Sequence, residues 1–194
     1  MLDLCTGGEL FHYIQKFGHM GLNCAKVLFA EVILALEFLH NKNILYRDLK
    51  PENILVDERG HLKLTDFGLC KLDFKREDLT ASFVGSPEYM SPEILNGDPY
   101  NYSVDFYTLG VLFYELVVGL PPHYNENKIQ MYEDIKTKPI RIPYALGEPL
   151  RDLLDGLLKI NPNERIGSIR GMLEVKEHPF FADVSWEKLI NREP

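Results

Sequence analysis

The sequence predicts a mainly α fold carrying one small β-hairpin, and three observations predict it. Apolar residues recur at steps of three and four through long stretches, the strand-like pieces are few and short, and turn signals separate them. At 194 residues the chain suits one domain and is too short for two ordinary ones. With 45% hydrophobic and 26% charged residues it can build a core, which excludes disordered and collagen-like chains. A formal charge of −8 argues against nucleic-acid binding through a basic surface. Cys5, Cys24 and Cys70 are odd in number and lack metal-ligand spacing. They are expected to be reduced thiols of an intracellular protein, in the cytoplasm or also the nucleus. No basic-then-apolar signal opens the chain, so no secretory leader is expected.

Each element follows in order. From Asn23 to Asn41, Ala25, Phe29, Val32, Leu36 and Leu39 share one helical face, and the helix should stop near Asn41-Lys42-Asn43. Three strand-like pieces come next, Ile44-Leu45, Ile54-Leu55-Val56 and Leu62-Lys63-Leu64, the last two joined by the hairpin loop Asp57-Glu58-Arg59-Gly60. Gly and Pro clusters between Ala81 and Tyr100 read mostly as loop. A helix should start with Asn101 or Ser103 as N-cap and end before Gly119. Its apolar residues cover nearly every face, which predicts complete burial. Asp105 and Glu115 interrupt that apolar run, Val104 to Leu120, so it is a core helix and not a membrane span. Leu150, Leu153, Leu154, Leu157 and Leu158 mark a later amphipathic stripe.

Chemically useful residues concentrate beside the hairpin, in Tyr46-Arg47-Asp48-Leu49-Lys50-Pro51-Glu52-Asn53 and in Asp66-Phe67-Gly68. A general base, a cation and two oxygen ligands for a hard divalent metal can be drawn from Asp48, Lys50, Asn53 and Asp66. Mg²⁺ favours such an incomplete oxygen shell, finished by substrate phosphates. Taken singly, each residue is also a common turn or cap type. Jointly they match H-R-D-L-x-x-x-N followed by D-F-G, with Tyr46 in the His position. Four fixed residues at fixed spacing arise by chance on the order of 10⁻⁵ per start position, so the pattern carries information.

The sequence therefore resembles the eukaryotic protein kinases, from its first residues almost to its last. Tyr46, Asp66-Phe67-Gly68-Leu69-Cys70-Lys71 and Gly85-Ser86-Pro87-Glu88-Tyr89 resemble the AGC group, related to cyclic-nucleotide-dependent and C-type kinases. Gly7-Gly8-Glu9-Leu10-Phe11, Gly119-Leu120-Pro121-Pro122 and Met131-Tyr132-Glu133-Asp134-Ile135 are similar to the serum- and glucocorticoid-regulated kinase, protein kinase B and ribosomal S6 kinase branch. The resemblance implies the helical C-terminal lobe of a kinase over residues 1–181, with 182–194 starting a C-terminal extension. It implies ATP and Mg²⁺ as cofactors and Ser/Thr hydroxyls of proteins as acceptors.

By the same resemblance, Asp48 accepts the substrate hydroxyl proton and Lys50 contacts the transferring phosphate. Glu52, Asn53 and Asp66 fall among the nucleotide-binding positions, Asn53 and Asp66 as metal ligands. Asp3 and Cys5 match the hinge that bonds adenine, Glu9 the ribose contact, and Leu55 and Thr65 the adenine floor. Leu55 reads equally as an ordinary strand residue. Ser82 matches an activation-loop phosphosite, the target of an upstream kinase, with Arg47 as partner of the phosphate. Ser86 matches the hydroxyl facing Asp48 and Lys50. Glu9, Glu52 and Glu115 match acidic positions that receive arginines upstream of the phosphoacceptor, so the expected partners are proteins with basic residues before Ser/Thr. Glu93 with Arg165 matches a buried ion pair, and Asp105 an anchor for the catalytic-loop backbone.

The sequence departs from the family pattern at Ser91 before Pro92-Glu93, at Val84 and Ser86, at Phe106-Tyr107 and at His123. No Gly-rich phosphate loop, strand lysine or partner glutamate precedes Met1. The expectation is thus a partial kinase domain, inactive alone; the alternative is a non-catalytic kinase-like lobe that binds partners.

Overall fold

The structure, a computed structural model, describes residues 5–192. Its centre is the helix Ser103–Val118, whose residues 103–117 are all buried. An element of that kind is set by hydrophobic side chains all round, as the sequence predicts. In chain order the elements are β1 (Gly8–Glu9), α1 (Leu10–Phe17), α2 (Leu22–Asn41), β2 (Ile54–Val56), β3 (Leu62–Leu64), α3 (Pro92–Asn96) and α4 (Ser103–Val118). They are followed by α5 (Lys128–Thr137), α6 (Glu148–Leu157), α7 (Met172–Lys176) and α8 (Trp186–Ile190). Among the described residues, no helix is long and apolar enough to cross a membrane.

The α2 stripe packs on α4, where the rings of Phe29 and Phe113 stack with centroids 3.9 Å apart. Phe181 extends this stack toward Trp186 on α8. On another side, α6 comes so close to α4 that a Cβ on Gly110 would lie 2.9 Å from the Leu157 Cβ. Helix α4 stops at Gly119, whose φ of 98° suits only glycine and whose added Cβ would collide with the Gly18 carbonyl oxygen.

The sheet has the order β1-β2-β3, antiparallel throughout, with Ile54 opposite Leu64 and Glu9 opposite Leu55. In the hairpin loop, Asp57 Oδ1 accepts the N–H groups of Arg59 (2.9 Å) and His61 (3.0 Å), an Asx-type turn. Four details differ from the sequence reading. Gly8–Glu9 forms a strand before α1 that the sequence reading does not include, because its backbone pairs with the edge of β2. Ile44-Leu45 contributes only a single bridge, Leu45 to Lys71. Pro92–Asn96 is helical within the stretch read as loop, a proline-led turn too short for periodicity to reveal. Tyr102 holds the N-cap position of α4, while Asn101 Oδ1 accepts the Ser103 N–H at 2.9 Å.

Candidate active site

Asp105, fully buried in the first turn of α4, sets the site from below. Its carboxylate accepts the backbone N–H groups of Tyr46 (3.0 Å) and Arg47 (2.8 Å) and meets His40 Nε2 at 2.8 Å. The loop after α2 is thereby fixed to the core helix, with Arg47 at a φ of 71°. Next along the loop, Asp48 is buried but densely partnered. Lys50 Nζ lies 3.2 Å from Asp48 Oδ2, and Asn53 Nδ2 donates to Asp48 Oδ2 and to its backbone carbonyl, both at 2.8 Å. Ser86 arrives from the other segment: its hydroxyl donates to Asp48 Oδ1 at 3.0 Å and accepts from Lys50 Nζ at 2.8 Å. Four predicted site residues thus form one hydrogen-bonded cluster.

The hairpin supplies the adjoining floor. Tyr46 donates its hydroxyl to the Thr65 carbonyl at 2.6 Å, and Thr65 Oγ1 donates to the Asn53 carbonyl at 3.2 Å. Asp66 follows, exposed and with a φ of 51°, and its Oδ1 accepts the Gly68 N–H at 3.1 Å. Burial, then the charges of Cys70, Asp48, Asp105 and Asp66, push the Tyr46 phenol well above its ordinary range. Burial likewise pushes the Cys70 thiol up to about 12, with Asp105 adding to it and Arg47 opposing. That shift favours the neutral thiol, whose Sγ donates to the Tyr46 carbonyl at 3.6 Å.

The donor set suits a hard divalent ion. Because the Asn53 NH₂ is committed to Asp48, its amide oxygen is the atom left to ligate. Asp66 is exposed, and among the described residues its Oδ2 takes part in no hydrogen bond. Among the described residues no cluster of three His, Cys, Asp or Glu exists, so a closed all-protein zinc-type cage is absent. Two oxygen ligands that need completing by a ligand's own oxygens fit Mg²⁺.

Acidic residues gather nearby. Glu115 is buried in α4 and accepts the Tyr89 hydroxyl at Oε2. Burial, with Glu52 and Glu88 next to it, pushes its carboxyl up to about 8. Glu52 is exposed beside the cluster, whereas Glu9 sits half-buried on β1 and is not among the charges acting on Glu115. Leu55 is half-buried at the middle of β2. Cys5 is a half-buried free thiol, and Asp3 lies outside the described residues.

Ser82 is exposed, and its carbonyl accepts the Tyr100 hydroxyl at 2.8 Å. That hydroxyl in turn accepts from Arg47 Nη1 at 3.3 Å, while Arg47 Nε donates to the Leu69 carbonyl at 2.7 Å. Sequence reasoning missed Tyr100, Tyr89 and Glu88. Tyr100 ends a Gly-Asp-Pro turn that carries no spacing signal, although Glu88 and Tyr89 stand inside a motif already singled out. Behind the site, Arg165 forms a bidentate pair with Glu93 at 2.6 and 2.8 Å, as expected from the sequence.

Comparison with known proteins adds to this geometry. A family profile described as the protein kinase domain matches residues 1–181. The serine/threonine-protein kinase gad8 of Schizosaccharomyces pombe is 51% identical over 189 residues, which is 97% of this chain and 33% of that protein. Serine/threonine-protein kinase sgk-1 of Caenorhabditis elegans is 44% identical over 193 residues, 100% of this chain and 42% of that protein. Serine/threonine-protein kinase Sgk1 of Xenopus tropicalis is 44% identical over 192 residues, 99% of this chain and 46% of that protein. The chain thus spans less than half the length of these relatives.

Proposed function

The chain belongs to the protein kinase family, in its AGC group, and from that premise we propose that it is the helical C-terminal lobe of a serine/threonine kinase. The kinase to which this lobe contributes is intracellular, cytoplasmic or also nuclear, and transfers the ATP γ-phosphoryl group to Ser or Thr hydroxyls of proteins. The single observation that carries this reading is the cluster of Asp48, Lys50, Asn53 and Ser86 around one carboxylate.

Asn53 and Asp66 would hold Mg²⁺, which neutralises charge on the nucleotide phosphates when bound. Asp48 takes the acceptor hydroxyl in place of Ser86 and receives its proton, held in orientation by the Asn53 amide. Lys50, already directed toward Asp48 and Ser86, places its positive charge where the transferring group carries negative charge. Asp3, Cys5, Glu9, Leu55 and Thr65 would line the nucleotide. Glu52 and Glu115, with Glu9, receive arginines upstream of the acceptor, and an upstream kinase phosphorylates Ser82. A guanidinium beside Glu115 would favour the ionised carboxylate that burial now disfavours.

Transfer depends on holding the nucleotide from both sides. Residues 1–194 include no Gly-rich loop and no strand lysine over the phosphates, so this stretch in isolation is expected to be inactive. In the full-length gene product, Asp48→Asn should lower single-turnover transfer to an arginine-containing peptide by ~10²–10⁴, at saturating ATP and Mg²⁺. Turnover equal to wild type, with an unchanged melting temperature, would remove Asp48 from the reaction.

A further inference from the structure

The Arg47 side chain has a partner set that the proposed function leaves unused. Among the described residues its hydrogen bonds go to the Leu69 carbonyl and the Tyr100 hydroxyl, both neutral. Tyr100 is only 2% exposed, packed with Leu45, Phe74, Met90, Ile94 and Val104. A buried phenol has to place its hydroxyl on partners, and this one has two. It donates to the Ser82 carbonyl at 2.8 Å and accepts from Arg47 at 3.3 Å. Its backbone also pairs with Thr80 on both sides, at 2.8 and 3.0 Å, two residues before Ser82. Three residues after Ser82, Gly85 runs so close to Arg47 that an added Cβ would stand 3.3 Å from the Arg47 carbonyl. The stretch from Thr80 to Gly85 is therefore hydrogen-bonded to Tyr100 at one end and lies against the Arg47 backbone at the other.

We propose that the Tyr100 hydroxyl is a positioning group: it ties the loop around Ser82 to Arg47 before phosphorylation, so the phosphate takes over an existing tie. The regulatory half rests on reading Ser82 as the phosphosite. Loop order and charge compensation are then separate contributions. Tyr100 supplies order in the unmodified protein, and a phosphate on Ser82 supplies Arg47 with the charged partner it lacks.

Tyr100→Phe removes the hydroxyl and keeps the ring in its buried setting. Hydrogen exchange measured by mass spectrometry on the full chain should show residues 80–86 exchanging about three- to tenfold faster than wild type, the worth of one neutral hydrogen bond. Amides of α2 and α4 should keep their wild-type rates. Phosphoserine encoded at position 82 should return residues 80–86 of the variant to within about twofold of wild type, because a phosphate–arginine pair is stronger than the bond it replaces. Unchanged exchange over 80–86 would overturn the proposal, as would a rise shared equally by α4. Faster exchange that phosphoserine fails to restore would leave the Tyr100 tie standing and overturn the reading of Ser82.

Discussion

Replacing Glu115 by Gln should stabilise the protein at pH 8 and leave it unchanged at pH 4.5. Only 6% of Glu115 is exposed, inside the helix that forms the core, and burial with Glu52 and Glu88 nearby lifts its carboxyl from 4.5 to about 8. The folded state therefore holds this proton more tightly than the unfolded state does. The stabilisation from that proton is complete below about 4.5 and is lost as pH rises through about 8. Each tenfold change in proton affinity corresponds to about 1.4 kcal/mol, so the loss across that window is on the order of 4 kcal/mol. Glutamine keeps the shape and can still accept the Tyr89 hydroxyl, but it does not titrate. For a chain of this size the difference amounts to roughly 10 °C in melting temperature. Calorimetric melting of both proteins from pH 4.5 to 8.5 reads it directly: the wild type should fall more steeply, with the two curves separating above pH 5. Parallel curves would refute the argument, since they would mean that Glu115 carries the same charge in the folded and unfolded states.

Two further substitutions probe the buried polar groups. Ser91 is fully buried and its hydroxyl has no hydrogen-bond partner among the described residues, so Ser91→Ala should raise stability by about 1–2 kcal/mol in urea unfolding. Arg165→Met should cost about 3–5 kcal/mol in the same assay, because Glu93 is left as a buried charge without its bidentate partner; Glu93→Gln combined with it should recover part of that loss.

Long, strongly periodic elements were legible in the sequence, because burial alone determines them. The stripe of Phe29, Val32 and Leu36 and the all-round apolar face of α4 leave little else that those segments can form. The short elements were not. Gly8–Glu9 is a strand only because β2 offers it an edge, and Pro92–Asn96 is a helix of barely more than a turn. At the candidate site, the spacing of Asp48, Asn53 and Asp66 singled those residues out, with Lys50 inside the same segment, because a short motif is read from local order alone. Tyr100 was invisible for the opposite reason. Its contribution is one hydroxyl reaching across the fold to Arg47 and Ser82, a relation of positions 53 and 18 residues apart that no local pattern encodes.

The three contacts on Asp105 also bear on where conformational strain resides. Arg47, a side chain with a Cβ, is held at a φ of 71°, a left-handed conformation that costs of order 1–3 kcal/mol for such a residue. The Asp105 carboxylate accepts the N–H of Arg47 itself and of Tyr46 before it, and so offsets that cost at the point where it arises. Since the carboxylate belongs to the most deeply buried helix, the twisted backbone can relax only if the core opens. The loop that presents Asp48 is thus tensioned from inside the molecule, and it keeps its shape as long as the protein remains folded.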